Sequence, residues 1–204
     1  MTPMANFVYL SSQSPRRRQL LEQLGVNYEL LLPDADEDAE ALEALQPSET
    51  GLAYVQRVTA LKLAAALRRL KCRGLPLAPV LCSDTTVVLG RQILGKPADR
   101  QQACDMLSAL SGRTHRVMTA VAVATQAQTA QQVMSISRVR FATLSPAQIE
   151  FYVASGEPFG KAGAYAIQGL AGAYIAHISG SYSGIMGLPL YETAALLRSA
   201  GCMH

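Results

Sequence analysis

The sequence runs to 204 residues, half of them apolar, with 16% charged, 6% aromatic and no tryptophan. That composition excludes a disordered or collagen-like chain and leaves ample material for one core. Eighteen Lys and Arg stand against 15 Asp and Glu, and the net charge of +3 is too small to argue for binding a nucleic-acid polymer.

In chain order, Phe7-Val8-Tyr9-Leu10 reads as a buried first strand. Ser14 followed by Pro15 starts a helix, with Leu20, Leu21 and Leu24 turned inward and Gly25 as its stop. Tyr28 to Leu32 predicts a second strand, leading into the acidic run Asp34-Ala35-Asp36-Glu37-Asp38-Ala39-Glu40. From about Ser48 to Leu70 the pattern is helical, with Tyr54, Val58, Leu61 and Ala65 on one stripe. Val80-Leu81-Cys82 predicts a strand that gives way to Ser83-Asp84-Thr85-Thr86, and Gly90 and Gly95 punctuate a hairpin after Val87-Val88-Leu89. A helix is expected from Asp99 to Leu110, closed by Ser111-Gly112. Two strands follow, near Arg116–Ala124 and Val133–Ala142, joined by an exposed connection from Thr125 to Gln132. Ser145-Pro146 opens a helix to Ala154; a strand near Tyr174–Ile178 and a helix from Pro189 to Arg198 complete the chain. Alternation of helices and strands gives an α/β class, with no internal repeat or linker.

Residues 1–100 hold 12 basic and 11 acidic side chains against 6 and 4 in the remainder, so the dense polar chemistry lies in the first half. Eight of the 15 glycines fall between Gly156 and Gly187, a stretch where backbone is expected to approach something closely. No apolar run approaches the roughly 18–20 residues that span a bilayer, and Met1–Asn6 lacks the basic and apolar regions of a secretory leader. Cys72, Cys82, Cys104 and Cys202 form no C-x-x-C pair and have no histidine at zinc-finger spacing. Reduced thiols, and hence a cytoplasmic protein, are expected.

Several segments carry candidate chemistry. Ser11-Ser12-Gln13-Ser14-Pro15-Arg16-Arg17-Arg18 joins a strand to a helix N-terminus, where free amides, hydroxyls and guanidinium groups favour a phosphate. Successive helical residues fan out by about 100°, so two of the three arginines at most face such a ligand. The same residues also read as a capped helix with solvated arginines. The acidic run offers carboxylates for a divalent cation or a general base, or else a solvated loop. Asp84, flanked by hydroxyls, is the better-placed acid, because it directly follows a short apolar strand and ligands of open α/β sheets gather at strand ends; the same residue also reads as an Asp in a strand-end turn. Gly90 to Pro97 nearly matches the phosphate loop G-x-x-x-x-G-K-[ST], but Pro97 supplies neither the hydroxyl nor the N–H, leaving only Lys96 as a phosphate cation. His115 reads as a base or, more simply, a structural residue at a strand start. His177 reads as structural, and His204 has no role. Gly180-Ser181-Tyr182-Ser183-Gly184 is not a nucleophile elbow, because its third residue is Tyr.

Taken together, ordered segments resemble the Maf family of nucleoside triphosphate pyrophosphatases, also called septum-formation proteins. The resemblance runs from about Tyr9 to Leu197. It is carried by Ser12-Gln13-Ser14-Pro15-Arg16-Arg17, Arg57 with Lys62, Ser83-Asp84-Thr85, Gly95-Lys96-Pro97, Ser111-Gly112 with His115, Lys161-Ala162-Gly163, Ile167-Gln168-Gly169, and Gly180-Ser181-Tyr182 with Gly187-Leu188-Pro189-Leu190. It implies one domain over residues 1–204: a mixed twisted sheet with flanking helices and two lobes around a central cleft, of the Maf/ITPase-like kind. It also implies hydrolysis of a nucleoside triphosphate to monophosphate and pyrophosphate with Mg²⁺ or Mn²⁺, and a homodimer.

By the same resemblance Asp84 and Glu37 are the catalytic and metal-binding acids, with Lys62 and Lys96 as catalytic cations. Ser12, Ser14, Arg16, Arg17, Thr85 and Gln168 bind substrate. The Arg17, Thr85 and Gln168 pattern resembles the branch acting on dTTP and UTP, and an amide suits the edge of uracil or thymine. Gly160 stands where many members have Asp, and Gly184-Ile185-Met186 where many have Asn-Val-Val. A non-catalytic nucleotide-binding protein and a septation-associated regulatory protein are the alternatives.

Overall fold

Val8–Leu10 forms β1, buried throughout as its unbroken apolar run requires. In the computed structural model, which describes residues 7–35, 37–125 and 130–203, helix α1 (Pro15–Gln23) follows directly. Leu20 and Leu21 are buried, as predicted, and Gly25 beyond the helix adopts φ +67°. Strand β2 (Tyr28–Leu30) is two residues shorter than predicted: Leu31 is buried and its amide still donates to the Leu10 carbonyl at 3.1 Å, but the strand ends there. Helix α2 (Gly51–Cys72) is capped by Thr50, whose hydroxyl accepts from the Ala53 amide. Its buried stripe includes Tyr54, Val55, Val58, Leu63, Ala66 and Leu70. Leu61, expected inside, is 39% exposed.

The main departure is at β3, which runs unbroken from Val80 to Leu89 and makes a hairpin with β4 (Gln92–Leu94). Asp84 therefore lies in the middle of a strand, not at its end. The reason is tertiary: β3 pairs antiparallel with β5 (Thr114–Ala124) from Val80↔Ala124 to Val88↔Arg116, a ladder that holds Ser83-Asp84-Thr85-Thr86 extended. Helix α3 (Arg100–Leu110), capped by Asp99, separates β4 from β5. Strand β6 (Gln131–Phe141) and helix α4 (Pro146–Ala154), with its Ser145/Gln148 capping box, follow the sequence expectation. Strand β7 (Ile175–Ser179) leads into α5 (Tyr182–Met186), a helix that the sequence pattern did not predict, and α6 (Leu190–Ser199) ends the described chain. Asp36, residues 126–129 of the connection, and His204 lie outside the described residues.

Strand order is β2-β1-β3-β5-β6-β7, with β4 paired to β3. The β1–β2 and β1–β3 contacts are parallel and the others antiparallel, giving the expected mixed sheet. Side chains alternate across it. Val80, Cys82, Val88, Ala120 and Ala122 belong to the two clusters that face α2. Leu81, Val87, Val117, Val121 and Val139 pack on the opposite side with residues of α1, α3, α4 and α6.

His115 is buried in that second core, its Nε2 2.8 Å from the Tyr165 hydroxyl and its ring against Phe141. Burial pushes its pKa down to about 4. The sign of the consequence is fixed: the unfolded chain takes up the proton near pH 6.5, the native one resists until about pH 4, so stability is full above 6.5 and falls as pH drops through this window. At pH 4.5 the loss from this group is about 2 kcal/mol, or roughly 4–8 °C in melting temperature. Melts of the wild type and His115→Asn at pH 7 and 4.5 check this. The variant is expected to lose fewer degrees, and equal losses would exclude His115 as the cause. His177, expected to be structural, is instead exposed on β7.

Candidate active site

A gap in the sheet creates the site. β1 accompanies β3 only at Val80 and Leu81, and β4 only from Val87 to Leu89. Between them, Ser83–Thr86 has β5 on one side and, among the described residues, no strand on the other. The gap opens into a cleft of about 760 Å³, reached by the N-terminus of α1, the segment 33–43, α2, the β3–β4 hairpin and the segment 160–168.

Alternation sends the residues of the gap to opposite faces. Asp84, 7% exposed, points toward α2, and Lys62 of that helix donates to its Oδ1 at 2.6 Å. The same ammonium donates to Glu43 Oε1 at 2.7 Å, and Lys96, from the turn after β4, donates to Glu43 Oε2 at 2.9 Å. Lys62 thus bridges two carboxylates. Burial works to raise the Glu43 carboxyl, but Lys62 and Lys96 outweigh it and hold the group below its ordinary range.

Glu43, and not Glu37, therefore faces Asp84 across Lys62. Glu37 has both carboxylate oxygens on Arg69, at 2.8 and 2.6 Å, which holds its pKa down to about 2. Arg69 is 6% exposed and also donates to the Leu31 carbonyl. Arg57 performs a similar service further along, with two 2.7 Å bonds to Glu49 and one of 2.9 Å to the Ala44 carbonyl. Together the arginines of α2 strap the acidic segment onto the helix, and the 3-10 turn Ala41–Glu43 presents Glu43 to the lysines. Sequence reading did not single out Glu43, because the resemblance pointed to Glu37 as the second acid. The available signal was a second acid within reach of a lysine-bearing helix.

At the other wall, Ser14 occupies the N-cap of α1 but makes no side-chain cap bond. The Ser12 hydroxyl instead accepts from the Ser14 amide at 3.2 Å and from Arg17 Nη1 at 3.2 Å. The three arginines do fan out. Arg18 turns back to the Gln13 carbonyl, whereas Arg16 lines the cleft, and burial lowers its pKa.

Arg17 is committed to the protein. Its Nε donates to the Gly187 carbonyl at 2.9 Å and Nη2 reaches Thr85 Oγ1 at 3.4 Å. Thr119 Oγ1, 3.0 Å from Thr85 Oγ1, donates its proton to the Gly184 carbonyl at 2.7 Å, so Thr85 must donate to Thr119. Ser83 donates toward the Ala120 and Gly187 carbonyls, both at 2.9 Å. Ser83, Thr85 and Arg17 thereby fasten α5 to the sheet, on the face opposite Asp84, and α5 brings Ile185 and Met186 to the cleft wall.

The glycine-rich expectation is met at Gly163, which has φ +71°. A Cβ there would lie 2.8 Å from Val87 Cγ1, so this turn reaches β3 only as glycine. Its amide donates to the Gly95 carbonyl at 3.0 Å and brings Lys161 alongside the hairpin that carries Lys96. Burial, then nearby Arg16, lowers the Lys161 pKa. Gly160 has φ +72° with open space where a side chain would stand. Gln168 is exposed on the cleft rim.

No group of three or more His, Cys, Asp or Glu side chains converges as a metal cage among the described residues. Two carboxylates suffice for Mg²⁺, which keeps waters and takes further oxygens from phosphates; Asp84 and Glu43, side by side on Lys62, fit such an ion once that ammonium yields its place, whereas Glu37 is engaged by Arg69. No described helix is long and apolar enough to cross a membrane.

Residues 7–200 match the family described as Maf-like protein. The chain is 67% identical over 198 residues to a protein of Albidiferax ferrireducens named dTTP/UTP pyrophosphatase, covering 97% of this chain and 98% of that one. Proteins of the same name from Polaromonas sp. and Ralstonia nicotianae are 66% and 64% identical, covering 98% and 95% of this chain and 98% and 93% of theirs. Among solved structures, a HAM1 protein from Coxiella burnetii is similar at 17% identity and a TM-score of 0.49, over 95% of this chain and 98% of that one. With a family match across nearly its whole length, and relatives near two-thirds identity, this chain belongs to the Maf-like protein family.

Proposed function

We propose that the chain hydrolyses nucleoside triphosphates, dTTP and UTP foremost, to the monophosphate and pyrophosphate. One observation carries this reading: a single cleft joins a buried carboxylate, Asp84, to the cations Lys62, Lys96, Arg16 and Lys161 and to an uncapped helix N-terminus. Asp84 and Glu43 offset two of the charges of Lys62 and Lys96, which leaves Arg16 and Lys161 for a triphosphate. The names of the relatives support the substrate class.

In this reading the α1 amides, with the Ser12 and Ser14 segment and Arg16, receive phosphate oxygens. Asp84 takes a proton from a water directed at the α-phosphorus. The new P–O bond forms as the bond to the α–β bridging oxygen breaks, and pyrophosphate leaves between Lys62, Lys96 and Lys161. Mg²⁺ or Mn²⁺, held by Asp84 and Glu43, would supply charge neutralisation to the phosphates. Arg17 and Thr85 act by holding α5 in place, and Gln168 reads the base edge. The reading includes a cytoplasmic location and a homodimer, and light scattering of the purified chain would test the dimer.

The deciding experiment incubates the purified chain with Mg²⁺ or Mn²⁺ and each standard nucleoside triphosphate, separating pyrophosphate from orthophosphate. Pyrophosphate with monophosphate from dTTP and UTP is the expected result. Orthophosphate with diphosphate would overturn attack at the α-phosphorus. Tight binding without turnover would make the protein a nucleotide sensor.

A further inference from the structure

Glu157, which follows α4, has no part in the phosphate chemistry, yet both its carboxylate oxygens are occupied. Oε1 accepts from the Tyr152 hydroxyl at 2.8 Å and from the Ala171 amide at 3.4 Å, and Oε2 accepts from the Leu170 amide at 2.9 Å. The Tyr152 hydroxyl, having donated its proton to Glu157, accepts from the Ala166 amide at 3.3 Å. Amides on both sides of Gln168, at 166, 170 and 171, are thus gathered by one carboxylate and one phenol. Gly169 seals the arrangement: a Cβ there would stand 2.2–2.5 Å from the Glu157 carboxylate, so the loop closes over the acid only with glycine beside Gln168. Burial and Glu157 keep the Tyr152 hydroxyl protonated by raising its pKa. The Glu157 carbonyl meanwhile accepts from Lys161 Nζ at 2.5 Å.

We infer that Glu157 is a positioning residue for base recognition: its carboxylate holds the segment Ile167–Ala171 so that Gln168 faces the place where a uracil or thymine ring would lie. This rests on the nucleotide reading above. Replacing the carboxylate by an amide turns one acceptor into a donor facing donors, leaving either Leu170 or the Tyr152–Ala171 pair unsatisfied. The loop amides then lose their anchor while the main-chain carbonyl still holds Lys161. Base reading and phosphate handling separate in this one variant.

The test compares wild type, Glu157→Gln, Gln168→Ala and the double variant, with dTTP, UTP and CTP as substrates. Glu157→Gln is expected to raise KM for dTTP and UTP by about 5–50-fold, with a smaller change in kcat, and to shrink their advantage over CTP. Gln168→Ala is expected to do the same, and the double variant to add little, because both act through one contact. An unchanged preference for dTTP and UTP over CTP in Glu157→Gln, or a loss shared equally by all three nucleotides, would overturn the inference and leave Glu157 a purely structural residue. If the wild type itself releases no pyrophosphate, the proposed function fails. Calorimetric dissociation constants for dTTP and CTP on the same four proteins then decide the role of Glu157 separately, with loss of discrimination expected and equal discrimination overturning it.

Discussion

Asp84→Asn is expected to lower pyrophosphate release by about 10²–10⁴-fold while the protein stays folded. Asparagine is nearly the same shape and still offers an oxygen to Lys62, and that ammonium keeps Glu43 as an ionic partner, so no buried charge is stranded. What disappears is the negative charge at the floor of the cleft and the acceptor for a water proton. Steady-state turnover with dTTP, beside a thermal melt, checks both halves. Near-normal turnover in a folded Asp84→Asn would remove Asp84 from the chemistry.

The second large effect separates two glutamates that stand six residues apart. Glu43→Gln is expected to reduce kcat/KM about 10–100-fold with little change in melting temperature, because it loosens the lysines and halves the carboxylate pair available to a cation. Glu37→Gln is expected to do the reverse. It leaves the buried Arg69 guanidinium short of its counter-charge, and the melting temperature falls by roughly 2–8 °C, a modest figure because Glu37 itself is a third exposed. The Arg69 bond to Glu37 has its own pH signature: with the carboxyl held down to about 2, its stabilisation is complete above about pH 4.5 and fades as pH falls through 2. If Glu37→Gln lost turnover and Glu43→Gln kept it, the acid pair would be Asp84 with Glu37 after all.

The contrast between these glutamates also shows where sequence reading stops. The acidic run was visible, and the family resemblance pointed to Glu37 within it. Which carboxylate reaches Lys62 depends on how the segment 33–50 is laid along α2, and that path is set by Arg57, Arg69 and Arg73 binding Glu49, Glu37 and Asp34. Likewise the three consecutive arginines were legible as an anion site. Their different duties appeared only once α5, about 170 residues away, brought the Gly187 carbonyl to Arg17. Asp84 was singled out for lying at a strand end. It lines the cleft because β1 and β4 leave a gap beside it, although its own strand continues.

By itself the sequence determined most of the elements and their order: the apolar run of β1, the alternating pattern of β6, the Ser-Pro start of α4, the glycine turns, and the ordered motifs that carry the family resemblance. These are matters of local propensity and periodicity, which neighbouring residues settle among themselves. The tertiary structure decided the pairing of Glu43 with Lys62 and Lys96, the use of Arg17, Ser83 and Thr85 to hold α5, and the hold of Glu157 on the Gln168 loop. Each joins groups far apart in the chain through contacts of about 3 Å, and only sheet register and helix packing bring such distant side chains within reach.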